Sequence, residues 1–151
     1  MKAIFLSTFI FLGVQSWAED CENIAGSYKG ICVETMEDGS KNNYEIKYNI
    51  RQNGCETVEI DDLEQGYVVS FSYNVKGGLT TIEESQGYKV VTGGTFGTES
   101  GAFAATTLFI NPDGNVDPIL GEFKKMANGA LKVTQTATGS RMTCELPAVS
   151  P

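Results

Sequence analysis

The 151-residue sequence contains no histidine, and it has only 11 Lys and Arg residues against 19 Asp and Glu. The absence of histidine excludes Ser-His-Asp and Cys-His catalytic arrangements and argues against a zinc site. The formal net charge of −8 disfavours nucleic acid and anionic membranes as partners. We therefore expect no nucleic-acid binding, no membrane insertion, no metal site and no other cofactor.

Long apolar runs are also missing, and the one short run lies at the N-terminus. Lys2, the apolar stretch from Ile4 to Val14 and the small-x-small step Ser16-Trp17-Ala18 form the three parts of a secretory signal peptide. The stretch is shorter than the roughly 18 residues that a transmembrane helix needs. This pattern predicts a cleaved signal peptide over residues 1–18 and a single exported domain over residues 19–151.

Four cysteines follow the predicted cleavage site, namely Cys21, Cys32, Cys55 and Cys144. An even number in an exported chain predicts two disulfides, each stabilising the fold by about 2–4 kcal/mol. No Cys-x-x-Cys pair supports metal binding instead. Four cysteines allow three pairings, of which we favour Cys32 with Cys144 and Cys21 with Cys55.

Apolar and polar residues alternate through most of the chain at the period of a half-buried strand. In residues 42–51, Tyr44, Ile46, Tyr48 and Ile50 fall on one face, and residues 65–75 and 102–110 alternate in the same way. Compact turn signals such as Asn53-Gly54 and Asn128-Gly129 separate these runs. The pattern predicts an all-β fold of roughly nine strands.

The short connections require consecutive strands to pair antiparallel with each other, as a meander. A long meander with one apolar face removes its edges by closing on itself. We therefore predict an up-and-down antiparallel barrel of roughly eight to ten strands, with a two-sheet β-sandwich as the alternative.

Aromatic side chains dominate the predicted inward faces. A barrel of about eight strands has an interior that is either filled by side chains or just large enough for one small ligand. The aromatic pattern therefore fits both a packed core and a ligand pocket. Buried tyrosine hydroxyls need hydrogen-bond partners, which a cavity or a ligand can supply. If the barrel closes, the inward aromatic residues, Phe109 among them, converge in its interior. On the ligand hypothesis, the residues that line the pocket are Tyr44, Tyr48, Tyr67, Phe71, Tyr73 and Phe103.

Carboxylates provide the remaining route to catalysis or metal binding. The candidates for a catalytic pair lie in polar surroundings, where solvated surface is the simpler interpretation. The segment from Asn111 to Glu122 has oxygen ligands at EF-hand spacing, but Val116 replaces the required glycine, and a hairpin turn is favoured. We therefore predict no enzyme activity. The carboxylates considered are Glu56, Glu59, Asp61, Asp62, Glu64, Glu83 and Glu84.

Gly26-Ser27-Tyr28 at the start of the first strand, followed by a hairpin-linked barrel and the late Cys144, resembles the lipocalin and calycin-like small secreted barrels. In that family a Gly-x-Trp opens the first strand, and its ring closes the barrel against a late arginine. The resemblance implies that Tyr28 and Arg141 close one end of the barrel. The chain has no tryptophan after residue 17 and no Thr-Asp-Tyr triplet at its mid-chain turn.

A second likeness covers the first third of the predicted mature chain. The layout Cys-x-x-apolar-x-Gly-x-Tyr from Cys21 to Tyr28, followed by Ile-x-Gln-x-Gly-Cys from Ile50 to Cys55, is similar to uncharacterised small exported bacterial proteins. Together with the lack of Asn-x-Ser/Thr sites, it favours the bacterial periplasm or full secretion.

These observations predict a non-enzymatic binding protein that holds a small apolar or amphipathic ligand inside its barrel. The alternative is a barrel with a solid core that acts through its outer loops on a protein partner, as an envelope interaction protein, adhesin or inhibitor. The loops expected to make such contacts are residues 61–65 and 97–101.

Overall fold

A computed structural model describes residues 21–64, 67–76, 78–83, 87–97 and 101–150. The predicted signal peptide lies outside these residues. The described chain forms ten β-strands, numbered in chain order. They are β1 Gly26–Met36, β2 Lys41–Asn53, β3 Thr57–Glu64, β4 Tyr67–Asn74, β5 Thr80–Glu83, β6 Lys89–Phe96, β7 Phe103–Ile110, β8 Val116–Lys125, β9 Leu131–Ala137 and β10 Ser140–Leu146.

All ten strands of the described chain belong to one antiparallel sheet, in the order β4-β3-β2-β1-β10-β9-β8-β7-β6-β5. The sheet curls until β4 lies beside β6, where Thr92 Oγ1 donates a 2.6 Å hydrogen bond to the Ser72 carbonyl oxygen. The result is a nearly closed barrel, which confirms the predicted all-β meander. The alternative of two packed sheets is wrong, because the strands form a single sheet.

Alternation along each strand decides which side chains enter the barrel. On β2, Ile46, Tyr48 and Ile50 are buried while Glu45 and Lys47 are exposed, as the sequence predicts. Tight hairpins keep this register from strand to strand. In the β1–β2 turn, Gly39 adopts a φ of 82°, which favours glycine over residues with a side chain.

The end of the barrel where β1 begins and β10 ends is filled by fully buried side chains, which we call the floor. Tyr28 lies across it, and its hydroxyl donates a 3.0 Å hydrogen bond to the Ile24 carbonyl oxygen. Burial raises the pKa of this phenol, so it stays neutral. The floor consists of Ile24, Tyr28, Phe103, Leu131 and Leu146.

Two disulfides stabilise the barrel, with the pairing that the sequence analysis favours. Cys21–Cys55 ties the N-terminal segment to the β2–β3 turn. Cys32–Cys144 joins β1 to β10, so the first and last strands are linked covalently as well as by hydrogen bonds.

The predicted contact loops need a correction. Asp61 to Glu64 belong to strand β3 rather than to a loop, because β3 continues its pairing with β4 up to Glu64 and Tyr67. Residues 65 and 98–100 lie outside the described residues. Within the described ranges, no helix is long and apolar enough to cross a membrane.

Candidate functional site

A cavity of about 310 Å³ lies inside the barrel, next to the floor and lined by side chains from β2, β3, β4, β7, β8 and β9. Its size falls at the lower end of the range for small-molecule sites. The barrel is therefore not filled throughout. The floor side of the interior is solid, and a space remains beyond it.

Aromatic and aliphatic side chains form most of the cavity wall. The rings of Phe71 and Phe109 meet edge to face, with centroids 6.2 Å apart, and those of Tyr48 and Phe123 do the same at 6.0 Å. Such contacts hold the rings in defined orientations. Ala105 and Gly121 have little or no side chain, and they leave the space that larger residues would occupy.

Polar groups occur at a few places in this wall. The Tyr73 hydroxyl and Thr107 Oγ1 form a buried 3.0 Å hydrogen bond across the barrel. Burial raises the pKa of Tyr73, opposed by this hydrogen bond, so the phenol is neutral. Asp62 and Gln135 also line the cavity, and Asp62 lies directly opposite Tyr48 in the β2–β3 ladder.

The neighbouring carboxylate Asp61 faces the outside of the barrel and has a different environment. The Arg51 guanidinium pairs with both of its oxygens, and Ser70 Oγ donates a 2.7 Å hydrogen bond to it. These hydrogen bonds, the one from Arg51 first, lower the pKa of Asp61. Asp61 is thus part of an outer-surface ion pair, whereas Asp62 belongs to the interior.

Three of the six predicted ligand-binding residues, Tyr48, Phe71 and Tyr73, line the cavity. The other three do not. Tyr44 lies nearer the start of β2, where its hydroxyl donates a 2.9 Å hydrogen bond to Glu34. Tyr67 is 78% exposed at the start of β4, and Phe103 is fully buried in the floor.

The predicted closure by Tyr28 and Arg141 also needs correction. Tyr28 closes one end of the barrel as part of the floor, but Arg141 lies at the start of β10, near the opposite end. There it is exposed and pairs in register with Thr35 and Thr136. The two residues are separated because β10 runs the length of the barrel between Arg141 and the floor.

Sequence reasoning overlooked several cavity residues: Ile60, Asp62, Val69, Ala105, Thr107, Ile119, Gly121, Phe123 and Gln135. For Asp62, the sequence does contain a pattern that predicts an inward side chain. Val58, Ile60 and Asp62 alternate along β3, and the period of two places all three on the inward face. The polar residues around Asp62 predict a turn or strand end instead, and a carboxylate in such a setting is expected to be solvated.

The other carboxylates form no metal centre in the described chain, where no three potential ligands cluster. The EF-hand-like segment begins as the β7–β8 hairpin, closed by a 2.9 Å hydrogen bond from the Asn111 amide to the Asn115 carbonyl. Asp113 there accepts hydrogen bonds from the backbone and side chain of Asn115.

No protein-family model and no curated protein matches this sequence. The cavity and its chemistry therefore carry the functional argument.

Proposed function

We propose that the protein binds one small, largely apolar molecule in the barrel cavity and has no catalytic activity. The observation that carries this proposal is the apolar cavity of about 310 Å³ bounded by the packed floor. An interior that served only stability would be filled, because protein cores are close-packed and contain few spaces larger than a water molecule. A ligand that occupies the space would make the contacts that the wall side chains lack.

The proposal includes export. The N-terminal sequence has the parts of a secretory signal, and the two disulfides fit an oxidising compartment. No cysteine of the described chain lines the cavity, so both disulfides stabilise the barrel and leave the cavity free for a ligand. We place the protein in the bacterial periplasm or outside the cell.

Native mass spectrometry of protein purified from an exporting host without detergent tests this proposal. We expect a discrete adduct that is lost on mild denaturation, or stoichiometric binding of an environment-sensitive apolar dye to the folded protein. A folded protein that carries no adduct and binds no dye would contradict the proposal.

A matched pair of substitutions on β7 locates the binding. Ala105→Leu adds side-chain atoms inside the cavity, whereas Ala104→Leu adds the same atoms on the exposed outer face of the same strand. We expect Ala105→Leu to abolish dye binding or weaken it at least about tenfold while the protein stays cooperatively folded. Ala104→Leu should bind like the wild type.

The alternative function through the outer surface has one supporting observation. Tyr67 and Val68 at the start of β4 are both well exposed, at 78% and 60%. Neighbouring exposed apolar residues are typical of contact surfaces. If Tyr67→Ser removed binding to a protein partner while Ala105→Leu did not, the outer surface would be the functional one.

A further inference from the structure

Two buried hydroxyl groups in the cavity wall share one hydrogen bond but carry two protons. Tyr73 on β4 and Thr107 on β7 both line the cavity, each is only 4% exposed, and their oxygens lie 3.0 Å apart. Burial raises the pKa of Tyr73, so its phenol keeps its proton at neutral pH. Whichever hydroxyl donates to the other, one proton of the pair has no acceptor among the described residues.

Other buried hydroxyls of the interior donate to the backbone. Tyr28 in the floor donates to a carbonyl oxygen at 3.0 Å, and Thr92, which pairs in register with Thr107, donates to another at 2.6 Å. Buried donors in proteins nearly always have an acceptor, because leaving one unsatisfied is costly. The second proton of the Tyr73–Thr107 pair is therefore available to a molecule that occupies the cavity.

We infer that the ligand carries a hydrogen-bond-accepting oxygen on a compact aromatic frame, and that the Tyr73–Thr107 pair donates its second proton to this oxygen. This inference rests on the proposed function. In the absence of a ligand, water can accept the proton. A hydrocarbon that displaces this water leaves the donor unsatisfied, whereas a carbonyl or ether oxygen replaces the hydrogen bond. The wall thus favours an aryl ketone, aldehyde or ether over a pure hydrocarbon.

The residues around the hydroxyl pair place the aromatic ring of the ligand. Thr107 lies between Ala105 and Phe109 on the inward face of β7. Ala105 pairs in register with Gly121 on β8, and these two small residues leave space beside Thr107. A ring in this space would have the rings of Phe71 and Phe109 in the same cavity wall, and edge contacts between rings are favourable. Its oxygen would point towards Thr107.

The cavity volume limits the size of the ligand. A cavity of about 150 Å³ accommodates benzene, which has six non-hydrogen atoms. By proportion, 310 Å³ accommodates about 12 such atoms. One aromatic ring with a short side chain that contains the oxygen has this size, whereas a long acyl chain does not fit.

Acetophenone and α-methylstyrene are a matched pair of probes for this inference. They have the same number of non-hydrogen atoms and nearly the same shape, but acetophenone has a carbonyl oxygen where α-methylstyrene has a methylene carbon. Isothermal titration calorimetry gives a dissociation constant for each compound. The ratio of the two constants in each protein variant reports the contribution of the oxygen.

The double variant Tyr73→Phe/Thr107→Val removes both hydroxyls and therefore both protons. Either single substitution leaves one hydroxyl that can still donate to the ligand. We expect the double variant to fold, because both partners of the hydrogen bond are replaced by apolar groups of similar shape. It should weaken acetophenone binding relative to α-methylstyrene binding by about fivefold or more, as expected for the loss of one hydrogen bond.

Two further variants test whether the effect belongs to this pair. Thr106→Val removes a hydroxyl from the adjacent outward position of β7 and should leave the ratio unchanged. Gln135 is another polar residue of the cavity wall, and Gln135→Leu should also leave the ratio unchanged. If Gln135→Leu weakens acetophenone selectively and the double variant does not, the oxygen binds at Gln135 and the inference is overturned.

Infrared spectroscopy of bound acetophenone provides a measurement on the wild-type protein. A donated hydrogen bond lowers the carbonyl stretching frequency below its value in a hydrocarbon solvent, and isotope labelling identifies the band. We expect the lowered frequency. If the double variant does not fold, this measurement decides, and a carbonyl band at the hydrocarbon-solvent frequency overturns the inference.

The two proposals can fail separately. If α-methylstyrene binds in the cavity and the ratio is the same in the wild type and the double variant, the oxygen inference is overturned and the cavity still binds apolar molecules. The same holds if neither compound binds at about 1 mM although the apolar dye does. If neither compound binds, and the native protein also carries no adduct and binds no dye, both proposals are overturned.

Discussion

Cys32 and Cys144 lie directly opposite each other on β1 and β10, with Cα atoms 4.4 Å apart, and their disulfide joins the first and last strands of the barrel. The bond closes a loop with a sequence separation of 112 residues and is buried in the core. Cys21–Cys55 closes a separation of only 34 residues, and both of its cysteines are partly exposed. The two bonds should therefore differ in their contribution to stability.

Replacing each cysteine pair with alanine tests this difference. The entropy of loop closure predicts a loss of about 4–5 kcal/mol for Cys32/Cys144 and about 1 kcal/mol less for Cys21/Cys55. Removing the buried pair also leaves unfilled space in the core, which increases the difference. Urea unfolding of the two double variants measures the free energies. A smaller loss for Cys32/Cys144 than for Cys21/Cys55 would contradict this account.

Phe71 distinguishes a binding wall from a packed core. It is half-buried and lines the cavity, so Phe71→Asp would place a second carboxylate beside Asp62. We expect the variant to lose apolar dye binding while unfolding cooperatively, with stability lowered by about 2–4 kcal/mol through lost ring burial. Val68→Asp, on the exposed outer face of β4, is the control and should keep both properties. If Phe71→Asp fails to fold, Phe71 is a core residue.

The sequence was sufficient to predict the barrel, because two local rules determine it. The period of two placed Ile46, Tyr48 and Ile50 inside, and glycine-containing turns too short for a crossover forced neighbouring strands to pair. These rules do not specify where the interior is filled. Phe103 belongs to the floor because its ring packs against Phe96 and Phe123 on the neighbouring strands β6 and β8, and against Tyr73 on β4, which is not paired with β7.

The cavity residues were harder to predict for the same reason. Tyr44, Tyr48 and Tyr67 have the same inward parity, yet only Tyr48 lines the cavity. Their height along the barrel axis decides this, and height depends on strand tilt and register rather than on local sequence. The alternation of inward and outward residues along β3 was enough to predict that Asp62 points inward. From residue type alone, however, an aspartate is expected on the surface.

Gly93 and Gly94 are adjacent on β6, the strand that lies beside β4, and they differ in how tightly the surrounding side chains pack against them. A Cβ atom at Gly94 would lie 2.5 Å from two ring carbons of Phe103 and 3.2 Å from Tyr73 Cβ, both in the buried core. A Cβ at Gly93 would lie 2.8 Å from one methyl carbon of Leu79, whose side chain is 67% exposed and can move away.

We therefore expect Gly94→Ala to lower the free energy of unfolding by about 1–3 kcal/mol, because the packed rings must shift. Gly93→Ala should change it by less than about 1 kcal/mol, since loss of glycine flexibility offsets a small steric cost. Urea denaturation of both variants measures this. If the two substitutions lower the free energy of unfolding equally, the Phe103 ring does not pack closely against Gly94 in solution.

The outer ion pair of Asp61 gives the barrel a defined response to acid. Arg51 and Ser70 hold the pKa of Asp61 below its ordinary value, so folding favours the ionised carboxylate. The resulting stabilisation is complete above the pKa of the unfolded chain, about 3.9. It is lost as the pH falls through the lower pKa of the folded state.

Asp61→Asn should consequently be less stable than the wild type at pH 7, and the difference should shrink as the pH falls below about 4. Urea midpoints measured from pH 7 to pH 2.5 report the difference, with Glu122→Gln on the exposed face of β8 as a control for removing one negative charge. Acid unfolding of the wild type depends on many carboxylates, so the difference between variants is the informative quantity. If Asp61→Asn and the wild type differ by the same amount at every pH, the contacts of Asp61 in the barrel do not favour its ionised form, and Arg51 would contribute by covering β3 with its alkyl chain rather than by its charge.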